Sequence, residues 1–329
     1  MIKQEQKLIE HIFDAEIKKV PTRDGFGHGL VEAGKVDERV VVLCADLEES
    51  TRAEWFHKEF PKRYIEIGVA EQNLATIGAG LAAVGKIPFI TSYATFSPGR
   101  NNEQIRTTIA LNNMPVKVVG SHAGVSVGPD GATHQALEDI GLMRMLPHMV
   151  VVVPADAEEA RKATIAIAKT NSPSYLRLGR AGSPQFTTPE TPFEIGHAEV
   201  LWESDSPQVA LIACGSLVHN ALLSAKKLQD EGIGSIVVNN HTVKPMDEKT
   251  ITEVASRCGA VITIEEHQIA GGMGSAVAEI LAQQKPVPIE FIGVHNQFGQ
   301  SGTPDELIKH YKMDVDSIIE AVKKVISRK

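Results

Sequence analysis

Two series of short apolar runs, each alternating with helical segments, restrict this chain to an α/β fold. In the first half the runs are nearly continuous and rich in valine and isoleucine, which is typical of parallel strands covered on both faces. Segments with apolar residues at helical spacing lie between them. The predicted strands are 40–44, 87–93, 116–120, 149–154 and 174–178, and the predicted helices are 73–84, 99–111 and 156–170. We therefore predict a doubly wound parallel-sheet domain over residues 1–180.

The second half repeats this pattern after an interruption. Residues 181–194 place three prolines among small polar residues, which sustain neither a helix nor a central strand, so we predict a linker there. A second, smaller doubly wound parallel-sheet domain is predicted over residues 195–329. Its predicted strands are 209–214, 235–240, 260–265 and 288–294, and its predicted helices are 217–231, 274–284 and 315–327.

Composition excludes several classes of protein. The 329 residues are 43% hydrophobic and 22% charged, and no apolar run resembles a membrane span or a secretory leader. A formal net charge of −8 argues against a basic face that binds nucleic acid. The three cysteines form no CxxC pattern and are predicted to be core thiols. We therefore expect a cytoplasmic globular protein that binds neither membranes nor nucleic acid.

A single ionisable residue, Glu71, lies in the apolar and glycine-rich segment 67–84, at the start of a predicted helix. Burial disfavours a charged carboxylate, whereas the amides of a helix N-terminus favour it, so this position can hold a tunable proton. An ordinary helix-start acid is the alternative, and spacing by itself favours that alternative.

Residues 120–135 form a second unusual segment, which leaves a predicted strand and carries four glycines together with His122, Asp130 and His134. Such a loop lies at the carboxyl end of a strand, where open α/β sheets bind ligands. Its side chains can bond several hydroxyls or move a proton near neutral pH. An ordinary turn is the alternative. The spacing of the histidines predicts no metal site held by this chain alone.

Aromatic and basic side chains follow two further strands. Tyr93 and Phe96 come after the second strand, where Phe96 can stack on a flat heterocycle or simply fill the core. Arg180 is better placed than Arg177 to bind an anion, although a solvated surface position is expected for both.

The glycines at 271–274 partly resemble a dinucleotide-binding motif. The last glycine of that motif is replaced by Val277, and we therefore expect a glycine-assisted helix start there instead of a nicotinamide site.

Four of these motifs occur in the order and spacing of the transketolase family, which the chain resembles over essentially its whole length. They are Gly-Val-Ala-Glu71-Gln-Asn, Ser-Tyr-Ala-Thr-Phe96, Gly-Pro-Asp130-Gly-Ala-Thr-His134-Gln and Pro-Ser-Tyr-Leu-Arg-Leu-Gly-Arg180. The resemblance implies a pyrimidine-binding domain followed by the family's C-terminal domain. The family usually supplies further aromatic residues after Phe96, whereas this chain continues with Ser-Pro-Gly-Arg-Asn-Asn, so the remainder of the pyrimidine pocket is not predicted.

The resemblance implies that the cofactor is thiamine diphosphate. Glu71 would hydrogen-bond the ring nitrogen of its aminopyrimidine and so promote loss of the thiazolium proton. Phe96 would stack on the pyrimidine ring, and Tyr93 and Asp46 would lie near the cofactor.

The resemblance also implies a sugar phosphate substrate. His122, Asp130 and His134 would bind the hydroxyls of the donor, and the two histidines would take part in catalysis together with Glu71. Arg180 would bind the phosphate group, for which a planar guanidinium is well suited.

The Gly-Asp-Gly motif with a distant Asn, with which the family holds the diphosphate through Mg²⁺, does not occur in this chain. The resemblance therefore implies the C-terminal subunit of a split transketolase, whose N-terminal partner holds the diphosphate and the metal. We expect two copies of each subunit, and transfer of a two-carbon ketol unit from a ketose phosphate to an aldose phosphate only when both are present.

Three alternatives remain open. They are the β subunit of a 2-oxoacid dehydrogenase, an enzyme similar to deoxyxylulose phosphate synthase, and a non-catalytic scaffold subunit. The Asp-Gly-Ala-Thr-His sequence at 130–134 favours a polyol substrate and hence transketolase over the first alternative.

Overall fold

The computed structural model describes residues 1–329, which form three β-sheets flanked by helices. The strands are β1 (Lys19–Pro21), β2 (Val40–Cys44), β3 (Tyr64–Glu66), β4 (Ile87–Tyr93), β5 (Lys117–Ser121), β6 (Val150–Val152), β7 (Ser174–Arg177), β8 (Gly182–Pro184), β9 (Glu199–Glu203), β10 (Pro207–Ala213), β11 (Gly234–Asn239), β12 (Thr242–Lys244), β13 (Val261–Gln268) and β14 (Ile289–Val294).

Helices fill most of the connections between these strands. They are α1 (Thr22–Val36), α2 (Glu48–Thr51), α3 (Ala53–Glu59), α4 (Glu71–Ala83), α5 (Asn102–Gln104), α6 (Asp139–Arg144), α7 (Ala157–Ala168), α8 (Leu217–Asp230), α9 (Glu248–Cys258), α10 (Met273–Gln284), α11 (Pro304–His310) and α12 (Val315–Ile326). None of these helices is long and apolar enough to cross a membrane.

The larger sheet has seven strands in the order β12-β6-β7-β5-β4-β2-β3. Its neighbours pair in parallel, except that β12 is antiparallel to β6. Every residue of β2 and β5 is buried, as expected for strands with helices on both faces. The predicted doubly wound α/β domain is confirmed.

The smaller sheet has five strands in the order β14-β13-β10-β11-β9, and only β9 is antiparallel to its neighbour. The second doubly wound domain is therefore confirmed as well. The expectation of wholly parallel sheets is wrong at two edges, because β9 and β12 were not predicted. β12 belongs to the second half of the chain but pairs with β6 of the first, so the two halves share one sheet edge.

The predicted helix 99–111 is wrong as a regular α-helix. Its residues form the short helix α5 and then a π-helical segment, Ile105–Ala110.

Helix α1 was not predicted, because four glycines lower its intrinsic helix propensity. Its packing against α7 compensates for that low propensity. The linker segment 181–194 contains β8, which pairs antiparallel with β1, and the predicted domain limits remain predictions.

The glycine-rich start of α10 is filled by the chain itself. The carboxylate of Glu265, which is 1% exposed, accepts hydrogen bonds from the backbone N–H groups of Met273 and Gly274 at 2.7 and 2.8 Å. A buried acid therefore occupies the place where a phosphate would bind, in agreement with the predicted structural role. The three cysteines are free and buried, as predicted.

The parallel strands of the larger sheet place the candidate site residues at one edge. At the carboxyl ends of β2, β3, β4, β5 and β7, in the last residue of the strand or in the segment that follows it, lie Asp46, Glu71, Tyr93 with Phe96, residues 121–135, and Arg180, respectively. This is the edge at which open α/β sheets bind ligands.

Candidate active site

Glu71 is the first residue of α4 and is only 2% exposed. Its carboxylate Oε2 accepts a hydrogen bond from Arg100 Nη1 at 2.9 Å, and its backbone oxygen accepts one from Asn101 Nδ2 at 2.9 Å. Its Oε1 has no hydrogen-bond donor within the protein. The carboxylate thus keeps one oxygen available for a ligand, while the backbone at the start of the helix is held by Asn101.

Aromatic rings extend from Glu71 towards the loop after β5. Arg100 Cζ lies 5.6 Å from the centroid of the Phe96 ring, and the rings of Phe96 and Tyr93 are stacked with centroids 6.0 Å apart. The ring of His134 meets Phe96 edge-on at 5.6 Å. The predicted residues Glu71, Phe96, Tyr93 and His134 therefore form one continuous row, with Arg100 as the link between the acid and the first ring.

The row ends at His122, whose ring stacks on Tyr93 with centroids 3.9 Å apart. Its Nε2 accepts a hydrogen bond from Arg23 Nη1 at 3.3 Å, which leaves Nδ1–H to donate to Ser121 Oγ at 2.9 Å. Burial, followed by the positive charges of Arg23 and neighbouring arginines, lowers the pKa of His122 to about 3. His122 is therefore a neutral imidazole at pH 7.

Arg23, in the first turn of α1, is a site residue that the sequence patterns did not reveal. It donates from Nη1 to Ser50 O at 2.8 Å as well as to His122, and its Nε is buried without a partner. The helix dipole disfavours a cation at that position, and this was the one available signal in the sequence. Arg180 is half-buried and donates from Nη1 to Val127 O at 2.9 Å. The positive charges of Arg23 and Arg180 both contribute to lowering the pKa of His122, so both guanidinium groups influence the same part of the site.

Two predicted site residues are not in contact with the row. Asp130 is exposed in the turn 128–131, and its carboxylate accepts no hydrogen bond from the protein. Asp46 is exposed with a positive φ of 57°, and its backbone N–H donates to Glu66 Oε1 at 2.8 Å. Both lie at the same edge of the sheet as the row, and their roles remain predictions.

The expectation of a solvated Arg177 is wrong. The side chain is 6% exposed, and its Nε donates to Asp139 Oδ2 at 2.8 Å. The hydroxyl of Tyr175 donates to the same oxygen at 2.6 Å. Burial by itself would raise the pKa of Asp139, but the Arg177 guanidinium outweighs it and holds that pKa below its ordinary value. Arg177 faces inwards because the second domain covers this end of β7.

Residues 18–184 match the family described as "Transketolase, pyrimidine binding domain", and residues 196–318 match "Transketolase, C-terminal domain". The fold and these matches define a two-domain α/β protein whose first domain is of the pyrimidine-binding class. The chain belongs to the transketolase family. The resemblance predicted from the four motifs is thereby confirmed.

The chain is similar over nearly its whole length to proteins of the same size. A "Putative transketolase C-terminal section" of Methanocaldococcus jannaschii is 41% identical, covering 91% of this chain and 94% of that protein. The 6-deoxy-6-sulfo-D-fructose transketolase subunit SqwH of Clostridium sp. is 37% identical, covering 96% and 98%. The rat transketolase, at 35% identity, is matched over only 50% of its length.

A solved structure described as "Split gene transketolase, inactive beta4 tetramer" has the same fold. It superposes with a TM-score of 0.87 at 42% identity and covers 94% of this chain and 99% of that one.

The pyrimidine-binding domain implies thiamine diphosphate, and the residues around Glu71 fit the pyrimidine part of that group. Glu71 Oε1 is free, and Asn101 Oδ1, close to the Glu71 backbone, is buried without a partner. Thr95 Oγ1, next to Phe96 in the chain, is likewise buried and unpaired. No group of three or more His, Cys, Asp or Glu side chains converges in a way that could hold a metal ion.

Proposed function

We propose that this chain is the C-terminal subunit of a two-polypeptide transketolase. With an N-terminal subunit it transfers a two-carbon ketol unit from a ketose phosphate to an aldose phosphate. The observation that carries this proposal is the buried carboxylate of Glu71, which has one oxygen free and is linked to the Phe96 ring through Arg100. A buried acid next to an aromatic face is suited to share a proton with a flat, weakly basic ring.

In this proposal Glu71 Oε1 bonds the aminopyrimidine of thiamine diphosphate, and Phe96 packs against the face of that ring. When bound, thiamine diphosphate would supply a nucleophilic carbon for attack on a carbonyl and an electron-poor ring that holds the electron pair of the broken carbon–carbon bond. Asn101 holds the start of α4 through the backbone oxygen of Glu71, so that the carboxylate keeps its direction. Tyr93 stacks on Phe96 and on His122, so that its ring lies between the cofactor end of the row and His122.

The other end of the row suits a sugar phosphate. His122 is neutral, and because its two ring nitrogens are bonded to Arg23 and Ser121, a donor hydroxyl replaces one of these partners without meeting a charge on the ring. His134 lies close enough to Phe96 to face the same substrate. Arg23 and Arg180 supply the positive charge for the phosphate group. Asp130, exposed and unpaired in its turn, accepts hydrogen bonds from hydroxyls of the donor once it faces them.

The partner subunit supplies what the chain lacks. In the proposal it holds the diphosphate and Mg²⁺, and two copies of each subunit assemble. Relatives of the same length that are named as a C-terminal section or a subunit support this division. The partner could also bury apolar surface near Glu71 in the sequence, because Val69 before it and Ile77 after it are 68% and 40% exposed. The cytoplasmic location stays a prediction.

Reconstitution tests the proposal. The purified chain is assayed alone and then with the N-terminal section of a split transketolase from the same source, thiamine diphosphate and Mg²⁺. A panel of ketose phosphates and 2-oxoacids is offered, and the products are identified. We expect ketol transfer only in the complete mixture. Activity of the chain alone would overturn the division into subunits. Decarboxylation of a 2-oxoacid would identify the dehydrogenase subunit or, if a ketose phosphate is formed with it, an enzyme similar to deoxyxylulose phosphate synthase. An inactive but stable complex would identify a scaffold.

A further inference from the structure

The second domain contacts the loop that carries the candidate substrate residues. We call residues 121–135 the histidine loop, because it contains His122 and His134. Glu266 in β13 is buried, with 6% of its surface exposed, and its carboxylate accepts hydrogen bonds from the Ser126 backbone N–H and, at 3.1 Å, from Ser126 Oγ. A Cβ at position 124 would lie 2.4 Å from Glu266 Oε1, so only glycine permits this approach.

A second tie lies at the end of the histidine loop. Gln135 is 3% exposed, and its Nε2 contacts Gln300 O of the second domain at 3.0 Å. The same amide contacts Val125 O and Gly128 O at 3.1 and 3.2 Å. The chain beyond β14 passes so close that a Cβ at position 299 would lie 1.7 Å from Gln135 Oε1. The side chain of Gln135 therefore connects the end of the histidine loop with the middle of the loop, and connects the loop with the second domain.

The position of Glu266 is itself fixed by the first domain. Arg177 Nη2 donates to the Glu266 backbone oxygen at 2.8 Å while the same guanidinium pairs with Asp139. The backbone of Glu266 is therefore anchored by the same guanidinium that pairs with Asp139, and its carboxylate is held by Ser126. Burial raises the pKa of Glu266, and the Arg177 charge and the Ser126 N–H oppose that rise.

We propose that Glu266 and Gln135 are positioning residues, through which the second domain holds the histidine loop so that His122, Asp130 and His134 serve one substrate. The assignment of that substrate rests on the function proposed above. Neither residue lies in the row from Glu71 to His122, so both act through the loop. A glycine-rich loop without these ties has many conformations of similar energy, and a displacement of about 1 Å at a binding group can cost about 100-fold in rate.

The test uses Gln135→Met, which keeps the size of the side chain and removes its hydrogen bonds, and Ser126→Ala, which removes one of the two bonds to Glu266. Asn220→Leu is the matched control, because Asn220 Nδ2 donates to Met313 O wholly within the second domain. Hydrogen exchange of the free chain is measured by mass spectrometry. We expect Gln135→Met to speed exchange in residues 121–135 about tenfold and Ser126→Ala about threefold, and Asn220→Leu to leave it unchanged.

The reconstituted enzyme gives a second readout. Gln135→Met should raise the KM for the ketose phosphate about tenfold and leave the proton exchange of the cofactor within about twofold of the parent value. Unchanged protection of the loop, or slower cofactor exchange with an unchanged KM, would overturn the positioning role. If the parent complex transfers no ketol unit, the proposed function fails, and hydrogen exchange in the free chain still decides whether the second domain holds the loop.

Discussion

The guanidinium of Arg100, 50% exposed, is paired with the carboxylate of Glu71, 2% exposed, across 2.9 Å. Arg100 also lies over the face of Phe96, which in the proposed function receives the pyrimidine ring. The buried acid therefore has a counter-charge before any ligand arrives. The side chain of Arg100, which carries that counter-charge, is long and half-exposed and can therefore move away when a ligand binds.

Arg100→Met should destabilise the chain by about 1 kcal/mol, because it leaves the buried Glu71 carboxylate without its partner. The loss should disappear when Glu71→Gln is added, since a neutral amide needs no counter-charge. Urea unfolding of the two single variants and the double variant measures this coupling. Additive effects of the two substitutions would show that the pair is not coupled in solution.

Glu71→Gln should leave the fold intact and slow exchange of the thiazolium proton about 100-fold in the reconstituted enzyme, because an amide cannot share a proton with the ring. Deuterium exchange followed by NMR measures the rate. The same substitution at the exposed Glu320 is the control. A normal exchange rate in Glu71→Gln would remove Glu71 from the proposed cofactor role.

Asp139→Asn should destabilise the chain by about 3 kcal/mol, because it leaves the Arg177 guanidinium buried without a counter-charge. The double variant Asp139→Asn/Arg177→Met should recover part of this loss, since it removes the unpaired charge itself. Chemical denaturation at pH 7 measures both. A double variant less stable than Asp139→Asn alone would show that Arg177 contributes mainly through its packing and its bond to Glu266.

Glu159 should make the stability of the chain fall as the pH rises. Its carboxylate lies between Ala155 N–H and the amide of Asn239, and burial, followed by the neighbouring Asp156, raises its pKa from 4.5 to about 8. Between these values the folded chain holds a proton that the unfolded chain has lost. The free energy of unfolding should therefore decrease by up to about 4 kcal/mol from pH 5 to pH 8 on account of this group.

Glu159→Gln should remove that part of the slope, and urea unfolding at pH 5, 6.5 and 8 measures the difference from the parent chain. Glu320→Gln, at an exposed position, should leave the slope unchanged. An identical pH dependence in the parent chain and Glu159→Gln would contradict the raised pKa.

Local patterns predicted the elements whose residues are almost all apolar. Strands β2 and β4 were located to the residue, because buried parallel strands carry an uninterrupted apolar run. Among the elements that were not predicted are the helices α1 and α9 and the edge strands β3, β9 and β12. The glycines of α1 and the few residues of β12 give weak local signals, and packing against other elements stabilises both.

Most residues of the candidate site could be predicted from the sequence, whereas the contacts between them could not. Glu71, Phe96, Tyr93, His122 and His134 were named from motifs, and the structure brings them into one row. Arg23 and Arg100 were not named. A cation near a helix start gives no indication of its distant partner, and the contact of Arg23 with His122 spans 99 positions in the chain.

The sequence by itself determined the two doubly wound domains and the family, because apolar periodicity and motif spacing are local properties of the chain. Only the tertiary structure decided which charges are buried together. It turned Arg177 inwards onto Asp139, paired Arg100 with Glu71, and placed Glu266 of the second domain against the histidine loop. These pairings depend on how the helices and strands pack against one another in three dimensions. Once a charge is buried, the free energy of leaving it unpaired is so high that a partner of opposite charge must be present.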